Sequence, residues 1–143
     1  MHMPQTTSTT TLFLHLARVN AMLSRRFDAG LGGLSLNEFI ILYYLSLAQD
    51  TQLRRTDLAD KIGLTASGIT RLLLPMEKIG LVKREADDHD ARVSFVRLAS
   101  GGKHALANAL DRMDEHGEEI LGSLSEKKIA EFCTLLTTIA KNI

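Results

Sequence analysis

Residues 64–98, LTASGITRLLLPMEKIGLVKREADDHDARVSFVRL, change their apolar period halfway along. Up to Ile79 the apolar residues recur every three or four positions. From Leu81 they recur every second one. The first half reads as a helix capped by Thr65, with Ile69, Leu72, Leu73, Met76 and Ile79 expected to point inward and Gly80 ending it at the C′ position. The second half reads as two short strands, LVKREA and VSFVRL, joined by a turn containing DDHDAR. Pro75 lacks a backbone N–H and crowds the carbonyl of Arg71, so a bend or loosened turn is expected in the helix's second half, after residues 66–71.

Just upstream, RTDLADKIGL places Leu58, Ala59 and Ile62 on one side of a short helix that Gly63 stops. A short helix, a tight glycine turn and a second helix form a helix-turn-helix, and a hairpin directly after it makes a winged helix. In such a unit the second helix enters the major groove of DNA and its first residues meet base edges. The outward positions are Ser67, Gly68, Thr70 and Arg71, with Thr65 and Ala66 at the entrance. Small and hydroxyl-bearing residues let the backbone approach a phosphate at the helix N-terminus, and Arg71 has the planar fork that reads guanine. A helix that merely packs, with polar residues outside, has the same pattern.

Further out, Leu12, Leu16, Val19, Leu23 and Phe27 form one stripe of a first helix that AGLGG ends. Ser35 and Glu38 make a capping box for a second helix running to about Ala48, with Phe39, Leu42 and Leu45 on its core face. After Ser100-Gly101-Gly102 a long helical stretch runs to about Leu121. Ser125 caps a last helix striped by Ile129, Phe132, Leu136 and Ile139. The expected order is four helices, a hairpin and two more helices: a mainly α fold with a small β-hairpin wing.

A chain of 143 residues with 45% hydrophobic and 24% charged residues has the make-up of a single soluble domain with a sizeable core. Its longest apolar runs are too short to span a membrane, and MHMPQTTSTTT lacks the blocks of a signal peptide, so a cytoplasmic location is expected and no membrane partner. Cys133 is the only cysteine. It excludes an internal disulfide and lies in an apolar pattern, so it is expected to be packed. No Ser/His/Asp set or phosphate loop points to an enzyme, and no cofactor is implied. Formal net charge is zero, but residues 52–98 hold nine Lys/Arg against seven Asp/Glu, whereas residues 99–143 hold five against seven. A local basic face is compatible with a neutral chain.

Three roles stay open for Asp87, Asp88, His89 and Asp90. They offer oxygen and nitrogen ligands to a metal, but a four-residue run within one turn converges poorly on one ion and fits neither an EF-hand nor an H-E-x-x-H pattern. They suit a bland solvated turn. Or they form the tip of a nucleic-acid-binding wing in which Asp90 orients the Arg92 guanidinium toward phosphate or a narrow minor groove. A helical interaction protein or a metal-binding protein using Asp87–Asp90 is the alternative to a DNA-binding one.

LADKIGLTASGITRLLLPMEKIGLVKREADDHDARVSFVRLASGGK resembles the core of the MarR (multiple antibiotic resistance regulator) family of transcriptional regulators. The marks are LA..IGL, S.ITRLL, EK.GLV.RE, D-x-R at the wing and a strand ending in Leu before a serine and glycine. Each is weak alone; their order and spacing are specific, and the likeness extends over about residues 12–143. It implies a homodimer in which the first, fifth and sixth helices of both chains interlock, which fits apolar stripes at both chain ends. It maps the start of the recognition helix onto Thr65, Ser67, Gly68, Thr70 and Arg71, the wing arginine onto Arg92 and its supporting acid onto Asp90. His89 stands where arginine is frequent, so the wing tip is less basic than usual; Ser100 stands where threonine is commoner, from which nothing follows. The resemblance further implies a repressor of a pseudo-palindromic operator in double-stranded DNA, released by a small aromatic or anionic effector, for which His15, Arg18 and Tyr43 are candidate ligands. Thiol sensing is not expected, because the family's sensing cysteine sits near the first helices. His15, His104 and His116 are too scattered for a zinc site. The expected organisation is a disordered tail at 1–11, dimerisation helices at 12–34 and 100–143, and a DNA-binding lobe at 35–99.

Overall fold

The computed structural model describes residues 3–143. Its elements run α1 (Ser8–Arg26), α2 (Leu36–Leu47), a 3-10 turn (Gln49–Thr51), β1 (Gln52–Arg54), α3 (Arg55–Ile62), α4 (Ala66–Lys78), β2 (Val82–Ala86), β3 (Ser94–Leu98), α5 (Ser100–Leu121) and α6 (Glu126–Lys141). The expected helix order and hairpin are all present. The fold is mainly helical with a small antiparallel sheet. The chain divides into two compact units, Met1–Leu110 and Asp111–Ile143.

Local chemistry accounts for the element boundaries. Ser35 accepts from the Glu38 N–H at 3.2 Å while the Glu38 carboxylate accepts from the Ser35 N–H at 2.9 Å, the reciprocal capping box. Gly63 and Gly80 take positive φ, 72° and 80°, where a side chain is disfavoured. At Gly80 the Leu81 N–H reaches back to the Met76 carbonyl (3.0 Å) and the Gly80 N–H to that of Glu77 (3.2 Å), a Schellman closure that swings the chain from helix into strand. Leu81 and Met76, the pair that closes over this turn, are both buried.

In the first unit, α2, α3 and α4 pack with the sheet around Leu42, Leu45, Leu58, Ile69, Met76 and Val96, each essentially inaccessible to solvent. The sheet has three strands in the order β1-β3-β2, both pairings antiparallel. β1 was not expected. Three residues long, it pairs Gln52, Leu53 and Arg54 with Arg97, Val96 and Phe95. On the other edge Val82 faces Leu98 and Ala86 faces Ser94.

Several expectations need correction. Ile79 is 67% exposed rather than inward: the helix ends at Lys78 and the turn at Gly80 carries Ile79 off the stripe. α4 runs through Pro75 as continuous α-helix. The ring occupies an exposed position, so the missing N–H falls on the wet face of the helix. α1 opens at Ser8, capped by the Thr7 side chain, which accepts from the Thr10 N–H at 3.2 Å; residues 8–11 of the expected disordered tail are helical, and residues 1–2 of that tail lie outside the described residues. On α1 only the C-terminal Phe27 of the predicted stripe is buried, while Leu12 and Val19 are exposed. In the second unit α6 has its cap as expected, Ser125 accepting from the Lys128 N–H at 3.2 Å, yet buries no residue, and Cys133 is exposed rather than packed. Helical periodicity marks a stripe; it does not say which molecule covers it.

Candidate nucleic-acid interface

Thr65 caps α4, its hydroxyl accepting from the Gly68 N–H at 3.0 Å and lying 3.3 Å from the Ser67 hydroxyl. The cap leaves Ser67 exposed at the helix start with Gly68 beside it. Arg71, one turn on, is exposed and makes no hydrogen bond or ion pair among the described residues. These positions form the outward-facing start expected of a recognition helix.

Thr70 differs from its neighbours. Its hydroxyl accepts from Arg55 Nη1 at 2.6 Å and donates to the Ala66 carbonyl at 3.0 Å. It is half-buried, and both of its hydrogen-bonding functions are used inside the lobe. Arg55 opens α3, so this bond ties the two helices of the helix-turn-helix together. Thr70 supports an arginine; it does not present a free hydroxyl to a base.

At the wing, the Arg92 Nε donates to Asp90 Oδ1 at 3.1 Å and Nη2 to Oδ2 at 3.3 Å, while the Arg92 backbone N–H also donates to Oδ1 at 3.0 Å. The guanidinium fork is held by both carboxylate oxygens, as expected for an acid two residues before an arginine. These Arg92 side-chain and backbone bonds, with the charge of Arg54 as a smaller contributor, hold the Asp90 carboxyl below its ordinary range. The Arg92 side chain is 91% exposed, so it is oriented without being covered.

Asp87 serves the turn, whereas Asp88 is exposed. Asp87 Oδ1 accepts from the His89 N–H at 3.3 Å, the Asp87 N–H bonds the Val93 carbonyl at 3.0 Å, and the Val93 N–H bonds the Asp90 carbonyl at 3.0 Å. Asp87 and Asp90 are thus turned onto backbone and arginine. Among the described residues no group of three or more His, Cys, Asp or Glu side chains converges as metal ligands would.

Seven of the nine basic residues between 52 and 98 fall into two sets, Lys78 and Lys83 lying exposed outside both. Arg84 pairs with Glu77 at 3.3 Å, and Arg97 bonds Gln52 at 3.0 Å and lies 3.8 Å from Glu85. Lys61 sits over the Tyr44 ring, 5.9 Å from its centre. Those cations have partners within the lobe. Arg54 and Arg71 are exposed and their side chains make no hydrogen bond or ion pair among the described residues, and Arg55 and Arg92 are oriented by Thr70 and Asp90. Arg54 and Arg55 had not been singled out from the sequence. The signal was the RR pair opening the first helix of the helix-turn-helix, but its position depends on β1.

The candidate effector ligands are not brought together. His15 and Arg18 are exposed on α1, while Tyr43 on α2 stacks with Phe39 (ring centres 6.2 Å) and meets Tyr44 edge-on (5.9 Å). No hydrogen bond or ion pair joins any two of the three.

A capped helix-turn-helix followed by a hairpin with an arginine-bearing turn, whose strands join the strand before it in one sheet, defines a winged helix-turn-helix protein. The family model described as MarR family matches residues 32–93. The transcriptional regulator HosA of Escherichia coli is 39% identical over 72 residues, 50% of this chain and 53% of HosA, so the chain spans about half the length of that relative. The HTH-type transcriptional regulator MhqR of Bacillus subtilis (strain 168) is 30% identical over 102 residues, 71% of this chain and 68% of MhqR. Among solved structures, the M. tuberculosis transcriptional regulator MOSR in complex with DNA is 26% identical, with a TM-score of 0.73 over 90% of this chain and 95% of MOSR. The chain belongs to the MarR family of transcriptional regulators and is not an enzyme. No helix among the described residues is long and apolar enough to cross a membrane.

Proposed function

We propose that the chain acts in the cytoplasm as a homodimeric repressor that binds a pseudo-palindromic operator in double-stranded DNA and is released by a small aromatic or anionic effector. In this reading Thr65, Ser67, Gly68 and Arg71 enter the major groove, Thr70 steadies Arg55 behind them, and Arg92, held by Asp90, reaches the neighbouring backbone or minor groove. Residues 35–99 are the DNA-binding lobe. The observation that carries the reading is the pairing of a capped, exposed helix start with a wing arginine gripped through both carboxylate oxygens. The solved DNA complex of MOSR supports it.

The dimer rests on uncovered apolar surface. α1 exposes Leu12, Phe13, Leu14 and Val19, and α6 exposes Phe132, Leu135 and Leu136. Apolar surface in runs of this kind marks association. A two-fold dimer gives operator half-sites about one helical turn, roughly 10 bp, apart. The deciding experiment is a gel shift with the DNA flanking the protein's own gene, run against unrelated duplex over a range of salt. A preferred fragment whose affinity falls steeply with salt is expected; equal affinity for every fragment refutes the operator reading. Light scattering on the same sample tests the dimer, and a thermal-shift screen with small aromatic acids tests the effector.

A further inference from the structure

The first unit concentrates positive charge at the root of the wing rather than at its tip. β1 ends at Arg54, opposite Phe95 of β3, and β3 begins at Ser94, where the wing rejoins the sheet. The chain leaving β1 for α3 therefore passes beside the wing. Between them lies a cleft of about 110 Å³ walled by Arg54, Arg55, Thr56, Arg92, Val93 and Ser94. Three arginines and two hydroxyl-bearing residues line one opening. Asp90 offsets one of those charges by holding Arg92, and Asp57, in the first turn of α3, lines an adjoining groove with Arg54. The N–H groups of the first turn of α3 receive no side-chain cap. Uncapped helix donors together with several cations are the elements of an oxyanion site.

We propose that this cleft binds one phosphodiester group of the DNA backbone, clamped between the start of α3 and the wing, with the exposed Arg54, Arg55 fixed by Thr70 and Arg92 fixed by Asp90. The inference rests on the DNA-binding reading and adds a contact to it. A phosphate held here fixes the wing and the helix-turn-helix to the same stretch of backbone, so it sets affinity and register without reading sequence.

The test compares the full chain with its Arg54→Gln variant. Arg54 is exposed and its side chain makes no hydrogen bond or ion pair among the described residues, so the thermal unfolding temperature is expected to stay unchanged. The variant is expected to bind the gene-flanking fragment and unrelated duplex more weakly by the same factor, and to flatten the slope of log K against log salt by roughly one unit. Inorganic phosphate is expected to shift the backbone amide resonances of Arg55, Thr56 and Ser94 in the wild type and not in the variant. Wild-type DNA binding with an unchanged slope and affinity in the variant overturns the cleft while leaving the DNA-binding reading intact. A changed base preference in the variant overturns it as well, because a phosphate contact is blind to sequence. If the wild type binds no duplex yet phosphate still shifts those amides, the DNA-binding reading fails and the cleft is reassigned to a free oxyanion.

Discussion

Replacing Thr70 by valine separates two roles that the sequence leaves together. As a base reader, Thr70 offers a hydroxyl to the groove. In the structure that hydroxyl accepts from Arg55 Nη1 at 2.6 Å and donates within its own helix. Valine keeps the branched shape, so packing and helix propensity hardly change. What is lost is a hydrogen bond from a charged donor. Such a bond contributes roughly 1.5–3 kcal/mol, but both residues are only half-buried and water can take over the guanidinium, so about 1 kcal/mol is expected. Chemical denaturation at fixed protein concentration measures it, since stability is linked to the concentration of an associating chain. Binding to duplexes carrying single-base changes supplies the second readout. The expectation is a loss of about 1 kcal/mol in unfolding, roughly fivefold in the folding equilibrium, with all duplexes bound more weakly in unchanged rank order. Serine at this position retains the acceptor and is expected to recover most of both. A Thr70→Val protein that is as stable as wild type but prefers different bases refutes the supporting role and restores Thr70 to the groove.

Other positions give sharp expectations. Gly102 is buried where α5 starts against the turn into β2, and a Cβ there would strike the Leu81 carbonyl oxygen and lie 2.8 Å from Leu98 Cδ1; Gly102→Ala is expected to destabilise by about 1–3 kcal/mol in thermal or urea unfolding. Gly117 in the same helix meets nothing within 4 Å, so Gly117→Ala serves as the control and is expected to be stabilising or neutral. Arg92→Ala is expected to weaken binding to all DNA and flatten its salt slope; binding as tight as wild type at moderate salt removes the wing from the interface. For Asp90, hydrogen bonds from Arg92 lower the folded-state pKa below the ordinary 3.8, so its grip is fully present above that value and is lost as pH falls through the lowered one. Protection of the Arg92 Nε–H is therefore expected to be flat near neutrality and to disappear only in strong acid. Disappearance already between roughly pH 7 and 5 contradicts the assignment.

Features of the lobe that depend on nearest neighbours in the chain were legible in the sequence. The Ser35–Glu38 box, the Thr65 cap, the glycines at 63 and 80, the two-residue period of the hairpin and the Asp90–Arg92 spacing each carry their cause within a few residues. What escaped depends on distant ones. β1 is too short to show a period, and only its pairing with β3, more than forty residues on, makes it a strand. Arg54 and Arg55 reach the wing by that same pairing. The Thr70 hydroxyl was assigned outward because helical spacing places it near Arg71, while the arginine that claims it comes from another helix. Ile79 continued the stripe by count, but the helix stops one residue short of it. Cys133 and the α6 stripe show a further limit. A chain can be amphipathic toward a surface it does not itself contain.

The acid-rich wing tip becomes intelligible when its parts are taken separately. A net count over Asp87, Asp88, His89, Asp90 and Arg92 describes a segment hostile to phosphate. The structure distributes these groups differently: Asp87 accepts from the turn's own backbone, Asp90 from Arg92 and from that residue's N–H, and Arg92 projects into solvent. Asp87 and Asp90 build and aim the turn, while further positive charge lies at its root, where Arg54 and Arg55 line one cleft with Arg92. Coulomb attraction depends on where charges sit within a Debye length of the ligand, about 10 Å at moderate salt, and not on the sum over a segment. A wing with a weakly basic tip and a strongly basic root should therefore draw the DNA backbone toward the body of the lobe. On that basis His89→Arg is expected to add only a small, salt-sensitive gain in affinity, whereas Arg54→Gln costs more. If restoring arginine at position 89 raises affinity more than removing Arg54 lowers it, the tip rather than the root governs the contact, and the distribution of charge has been misread.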